Sequence, residues 1–335
     1  MQAHVRTVLP RLLRRRFAAG LRDAPWSGTV VDPDRGPVSL TGWFSEGARR
    51  DVVVVLVHGL GGSAESPYLS TTAAACQAGG LATLRLGLRG SDGKAGDFYH
   101  AGLTADVAAA LAAPELVRYE RVVLVGFSLG GHVALRYGTE PHDARLAAVA
   151  AVCAPLELQP AQRSFDRASP AAWPYRVYIL ERLKRLYAEI ATHGPVPTPV
   201  EQVRCARTLR DWDRLTVVPR FGFASPEDYY ARASVGPRLR QLSVPAMLVA
   251  CPSDPMVPPA SIAAAAAAAG GALDLRWVPR GGHVAFPADL DLGFGGARGL
   301  AGQLASWAAR VGAEEFSSRP LSEAPRGAGV AAAAT

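Results

Sequence analysis

Three residues of this chain have the types and chain order needed for nucleophilic attack on an acyl carbon. They are Ser128, Asp254 and His283. Ser128 sits in Gly126-x-Ser128-x-Gly130, directly after the apolar, Val-rich run Val122–Val125 and directly before a helix-compatible segment, Val133 to Tyr137. Strand, G-x-S-x-G and helix in that order predict a nucleophile elbow, a tight turn that exposes the serine hydroxyl. The turn is strained, and side chains two residues either side of the serine would collide with it, hence the two glycines. A serine hydroxyl needs an adjacent base, and that base is usually a histidine oriented by a buried carboxylate. His283 follows Arg280-Gly-Gly, just after a predicted strand, and Asp254 lies in the Pro-rich loop after the preceding strand.

The oxyanion of a tetrahedral intermediate needs two preorganised donors. The backbone amide of Leu129, at the start of the elbow helix, is one candidate. The amide of Leu60, in the Gly-rich loop His58-Gly59-Leu60-Gly61-Gly62, is the other. The remaining six histidines fit the role of base less well. His4 lies in the N-terminal segment, and His142 and His193 lie in loops expected to be exposed. His132 is on the elbow helix, where it packs or caps, and His58 is expected to shape the Gly-rich loop. His100 stays open, because its loop can reach the site. Glu157, after the strand that follows the elbow, is the alternative acid, and the plainer reading of Asp254 is a turn-forming aspartate before proline.

Positioning these groups requires one sheet edge. Strands are expected at Asp51–Val57, a continuous apolar run, and at Ala82–Leu86, Arg121–Phe127, Leu146–Ala154, Ala246–Ala250 and Leu273–Val278, alternating with helical segments. That rhythm predicts βαβ crossovers and a mostly parallel sheet flanked by helices. Val38–Phe44 alternates like an antiparallel edge strand. From 156 to 242 the rhythm stops: the stretch has no buried strand, a charged amphipathic helix at Arg176–Ile190 and many aromatics, including Trp173, Tyr178, Trp212, Phe221, Tyr229 and Tyr230. It reads as a helical cap. Most of its aromatics should form the cap's own core, and a few should line an apolar pocket. The expected organisation is a basic N-terminal segment (1–25), a first core part (26–155), the cap (156–242), a second core part (243–312) and a disordered tail (313–335).

The chain has 335 residues, 49% hydrophobic and 19% charged, enough for one large domain with an insertion. Its net charge is +7, with Arg6, Arg11, Arg14, Arg15 and Arg16 close to the start. A solvated basic segment with a helix candidate at Val8–Phe17 is the simpler reading. Weak contact with an anionic membrane surface is the alternative. No aromatic-interleaved basic patch suggests nucleic acid. Cys76, Cys153, Cys205 and Cys251 are scattered, without metal-ligand spacing. Cys153 and Cys251 read as inert core thiols, and a reduced, cytoplasmic setting fits best. No metal or organic cofactor is expected.

An ordered set of motifs resembles the YheT-like α/β-hydrolases, relatives of the animal ABHD hydrolases with esterase or phospholipase activity. It comprises His58-Gly-Leu-Gly-Gly-Ser63, Ser66-Pro-Tyr68, Arg89-Gly90, Tyr99-His-Ala-Gly102, Gly126-Phe-Ser-Leu-Gly-Gly131, Asp211-Trp-Asp213, Asp228-Tyr-Tyr230, Asp254-Pro-Met256 and Gly281-Gly-His-Val-Ala-Phe286. The set spans most of the chain. The resemblance implies an α/β-hydrolase fold with Ser128, Asp254 and His283 as nucleophile, acid and base. His132 stands where the family often has Asn, and the N-terminal lead is shorter than usual. The membrane anchor of the animal relatives has no counterpart here. The expected activity is cleavage of small-molecule carboxylic esters with a short- to medium-chain lipophilic acyl group. Thioesterase, lactonase and acyltransferase chemistry use the same three groups, and a binding protein on a hydrolase scaffold is the alternative of another class.

Overall fold

The chain is described by a computed structural model over residues 22–167 and 173–313. The basic start with its helix candidate at Val8–Phe17, His4 and the tail from 314 lie outside the described residues.

Eight strands form one sheet: β1 (Ala24–Asp32), β2 (Gly36–Ser45), β3 (Val52–Val57), β4 (Ala82–Gly87), β5 (Arg121–Phe127), β6 (Leu146–Val152), β7 (Ala246–Ala250) and β8 (Leu273–Trp277). Their spatial order is β1-β2-β4-β3-β5-β6-β7-β8. The β1–β2 and β2–β4 pairs are antiparallel, and every pair from β4 to β8 is parallel. Val38–Phe44 is therefore not at the edge. It lies in β2, between β4 and an outer strand, β1, that the sequence reading did not foresee. β1 alternates exposed and buried residues and is the half of the hairpin facing solvent.

Both faces of β3, VVVVLV, are fully buried. Val52, Val54 and Leu56 face one core with Leu69, Ala73 and Trp307, while Val53, Val55 and Val57 face the other. This two-sided burial is why the strand reads as an unbroken apolar run rather than an alternation. Helix α1 (Pro67–Ala78) packs against the last helix, α12 (Leu300–Val311), on the first face. Helices α2 (Ala105–Leu111) and α3 (Pro114–Val117) follow β4. Helix α4 (Leu129–Tyr137) follows β5 and packs on β5 and β6. Because β3 lies between β4 and β5, the chain runs to one side after β3 and returns to the other after β4. Such a switch point opens a crevice at the C-terminal ends of the parallel strands, where ligands bind in open α/β sheets.

Between β6 and β7 the described residues carry only helices: α5 (Leu158–Asp166), α6 (Trp173–Ile190), α7 (Val200–Arg204), α8 (Leu209–Leu215), α9 (Val217–Phe221), α10 (Pro226–Ala233) and a 3-10 turn at Gly236–Gln241. α11 (Pro259–Ala268) lies between β7 and β8. The cap is fastened to the core by a buried ionic cluster. Arg89, after β4, donates to Asp32 (2.6 Å), Asp97 (3.0 Å) and Asp106 (2.8 Å). Arg220, on cap helix α9, donates to the same Asp32 (2.7 Å) and Asp97 (2.9 Å). Among the described residues no helix is long and apolar enough to cross a membrane.

Candidate active site

Ser128 follows β5 and opens α4 with φ 53° and ψ −120°, a left-handed backbone uncommon for a non-glycine residue. The flanking glycines make this turn feasible. A Cβ on Gly126 would stand 2.1 Å from the Gly130 carbonyl oxygen, and one on Gly130 would stand 2.4 Å from the carbonyl oxygens of Val57 and His58. The elbow helix is thereby pressed against the end of β3.

Two loops bring the other groups to Ser128. His283 follows β8 and Asp254 follows β7, and both are buried. His283 Nε2 lies 2.8 Å from Ser128 Oγ, and His283 Nδ1 lies 2.9 Å from Asp254 Oδ2 and 3.1 Å from Oδ1. The amides of Met256 (2.8 Å) and Val257 (3.2 Å) donate to Asp254 Oδ1. With its Nδ1 proton turned to the carboxylate, the imidazole presents the Nε2 lone pair to the serine hydroxyl. The result is a continuous hydrogen-bond chain from carboxylate to serine hydroxyl.

Leu60 and Leu129 both border the cleft over Ser128. Gly59 and Gly61 donate their amides to Tyr68 Oη (3.0 Å) and Tyr99 Oη (2.8 Å). Among the described residues the amides of Leu60, between them, and of Leu129, in the first helical turn, have no protein acceptor. Two phenols hold the loop while the amide between them stays available. The roles of Tyr68 and Tyr99 were missed from sequence, although both belong to the motif set above.

The other histidines are used elsewhere. His58 donates from Nδ1 to the Gly59 carbonyl (2.8 Å) and accepts at Nε2 from the Leu88 amide (3.1 Å). Burial pulls it down to about 4, so it is neutral and structural. The ring nitrogens of His132 lie 2.6 Å from the Pro155 carbonyl and 2.9 Å from that of Ala233, which links the elbow helix to the cap. His142 is half-buried rather than exposed, its Nδ1 2.7 Å from the Glu140 carbonyl, and His193 is exposed. His100 does reach the cleft, but as a wall. Its Nδ1 accepts from the Gly102 amide (3.1 Å), its ring packs on Phe221 and Tyr229, and burial lowers it to about 3. Glu157 turns toward Gly236, and its carboxyl is raised by burial.

Cys153 is more than a core thiol. It lies past the end of β6 at φ 50°, its Sγ accepts from the Val284 amide (3.4 Å), and it contacts the Gly282 carbonyl (3.7 Å). It thus supports the His283 loop from below. Cys153, Asp254 and His283 also bring possible ligand atoms within 4.8 Å of one another. Their chemistry does not suit a metal: burial holds the thiol well above its ordinary pKa, and the carboxylate is occupied by His283 and two amides.

The cleft measures about 740 Å³ with its mouth and is lined mainly by apolar groups, among them Leu158, Phe165, Trp212, Val217 and Met256. A second cavity of about 340 Å³ shares Leu60, Tyr99 and Trp212 with it. The cap's aromatics divide three ways, and fewer of them sit in the cap's own core than expected. Tyr175 and Tyr187 are buried outside the cleft wall, Trp212, Tyr229 and Tyr230 line it, and Trp173 and Tyr178 are exposed. In two motifs the first aspartate stands in the first turn of a helix capped by a hydroxyl side chain, and the last residue faces the cleft. The Asp211 amide donates to Thr208 Oγ1 and the Thr208 amide to Asp211, which fixes α8 and presents Asp213. The Asp228 amide donates to Ser225 Oγ at the start of α10 and so presents Tyr230.

Residues 54–291 match the model of the alpha/beta hydrolase family. YheT, a candidate esterase of Escherichia coli strain K12, is 28% identical over 293 residues, 84% of each chain. A candidate esterase of Synechocystis, slr0264, is 29% identical over 185 residues, 49% of each chain. The solved structure of the Pyrococcus furiosus esterase Pf2001 superposes with a TM-score of 0.52 at 16% identity, covering 87% of this chain and 91% of its own, a likeness of fold.

Proposed function

The chain belongs to the alpha/beta hydrolase family, and from that premise we propose that it is a serine hydrolase of carboxylic esters. The observation that carries this reading is the unbroken chain Asp254–His283–Ser128, with its 2.8 Å step to the serine hydroxyl. His283 Nε2 takes the Ser128 proton as Oγ attacks the acyl carbon. The carbonyl oxygen becomes an oxyanion beside the Leu60 and Leu129 amides. The intermediate collapses, the ester C–O bond breaks, and His283 delivers its proton to the departing alcohol. Water then gives a proton to His283 and attacks the acyl carbon; the bond to Ser128 Oγ breaks, His283 returns its proton to Oγ, and the carboxylic acid is released. Asp254 orients the ring and stabilises the imidazolium without taking the proton.

The mostly apolar cleft supports a lipophilic acyl chain of short to medium length. Four unpaired cysteines suit a reducing, cytoplasmic location. The test is hydrolysis of p-nitrophenyl esters of rising acyl length by the wild type, Ser128→Ala and His283→Ala. A rate that peaks at one chain length and vanishes in both variants is expected. Turnover that survives Ser128→Ala would overturn the reading.

A further inference from the structure

The cleft contains one carboxyl group for which the ester chemistry has no use. Asp213 projects from cap helix α8, is 5% exposed, and lines the cavity beside Leu158, Phe165, Trp212 and Val217. Its one hydrogen bond among the described residues comes from Tyr230 Oη, 2.6 Å from Oδ2. Among the described residues no Lys or Arg lines the cleft. A carboxyl in such surroundings is costly unless its hydrogen-bonding capacity is met. A Leu–Phe pair would join α8 to α10 at less cost. Burial first, with the charge of nearby Asp166 adding to it and the Tyr230 hydroxyl opposing it, lifts Asp213 to about 8. At neutral pH it is a neutral acid, able both to donate and to accept. Asp166 itself is engaged, accepting from the amides of Leu209 (2.8 Å) and Arg210 (3.2 Å) and from Gln162 (2.5 Å).

We propose that Asp213, held by Tyr230, is a specificity-determining residue that hydrogen-bonds a hydroxyl group carried by the substrate away from its scissile ester. The enzyme then prefers hydroxylated esters to plain alkyl esters of the same length. The placement supports this division of labour. Ser128, His283 and the Leu60 and Leu129 amides come from the sheet edge, whereas Asp213 comes from the cap, so the two sets meet different parts of one ligand. A neutral partner fits better than a cationic one, because the carboxyl keeps its proton and, among the described residues, no second acidic side chain lines the cleft. The word substrate rests on the ester-hydrolase reading. The binding preference does not.

The experiment has two arms. In the first, p-nitrophenyl hexanoate, its hydroxyhexanoate isomers and the 6-aminohexanoate ester are compared with wild type, Asp213→Asn and Asp213→Leu. For the wild type, kcat/KM for the best hydroxylated isomer should exceed that for the plain ester by about tenfold, the worth of one good hydrogen bond. Asp213→Asn, which keeps a donor and an acceptor, should retain most of that ratio, and Asp213→Leu should bring it to about one or below. An unchanged ratio in Asp213→Leu, or a wild type that favours the ammonium ester, overturns the proposal. The second arm reads the wild type without turnover, as the rise in melting temperature caused by 2-octanone and by its hydroxylated isomers. A larger rise with one hydroxylated isomer is expected, and equal rises overturn the proposal. If no ester is hydrolysed but the ketones differ, the hydrolase reading fails and the subsite stands.

Discussion

Two buried polar clusters border the same sheet, and they differ in how completely their hydrogen bonds are met. In the cluster beneath the cap, all three nitrogens of Arg89 and all three of Arg220 have carboxylate partners, in Asp32, Asp34, Asp97 and Asp106. Every guanidinium nitrogen is engaged by a carboxylate, and little is left to offer a ligand. Around Ser128 the carboxylate and the imidazole are equally well tied, but the chain of bonds ends on a half-buried hydroxyl beside two amides without protein acceptors. Burial of charge alone therefore does not mark a site. What distinguishes the two regions is capacity left open toward a cavity, and Asp213 shows the same property in the cap.

The comparison can be strained from either side. Asp254→Asn should lower kcat by about 10⁴, because the amide no longer fixes the tautomer in which Nε2 faces Ser128. Its melting temperature should change little, and steady-state kinetics beside a thermal melt checks both halves. Arg89→Met should do the reverse. Asp106 would then keep only the backbone amide of residue 89, and Asp32 and Asp97 would keep Arg220 as their one cation, at a cost of about 3–5 kcal/mol in a urea titration, while kcat of the folded fraction stays within a few-fold. A loss below 1 kcal/mol would mean that the closed cluster is not what fastens the cap.

A smaller effect is expected in acid. Burial opposes ionisation of Asp32, but the Arg220 and Arg89 guanidiniums outweigh it and lower the carboxyl to about 2 from its usual 3.8. A depressed folded-state pKa means that the stabilisation is complete above pH 4 and is lost as the pH falls toward 2. The group's share is about 2 kcal/mol. Urea midpoints from pH 5 to pH 2 should fall more steeply for the wild type than for Asp32→Asn. Equal slopes would remove Asp32 from the account.

The two regions also differ in how legible they were in the sequence. The elbow is local. Gly126, Ser128 and Gly130 lie within five residues, between a both-faces-buried strand and a helix, so sterics alone dictate the pattern. The loop of Asp254 follows β7, an equally plain apolar run, whereas β8 before His283 carries Asp274 and Arg276 and is read from its alternation. The closed cluster is not local: Arg220 and Asp32 are 188 residues apart, and no spacing rule joins them. β1 was missed because its alternating burial has the polarity of a surface segment, and β2 was put at the edge for the same reason. The support Cys153 gives the His283 loop depends on a positive φ, which a cysteine does not announce. Asp213 stood in a recognised motif, but nothing in the pattern said that Asp211 would pair with the Thr208 cap while Asp213 faced the cleft.

The central claim is that Ser128 is an activated nucleophile at the open end of its cluster. Incubation with an alkyl fluorophosphonate, followed by intact mass measurement and peptide mapping, tests it most directly. One adduct on Ser128 is predicted, absent in Ser128→Ala and formed at least about a hundredfold more slowly in His283→Ala, within the range ascribed to a positioned general base. A wild type that stays unlabelled, or one modified at another residue, would contradict the account.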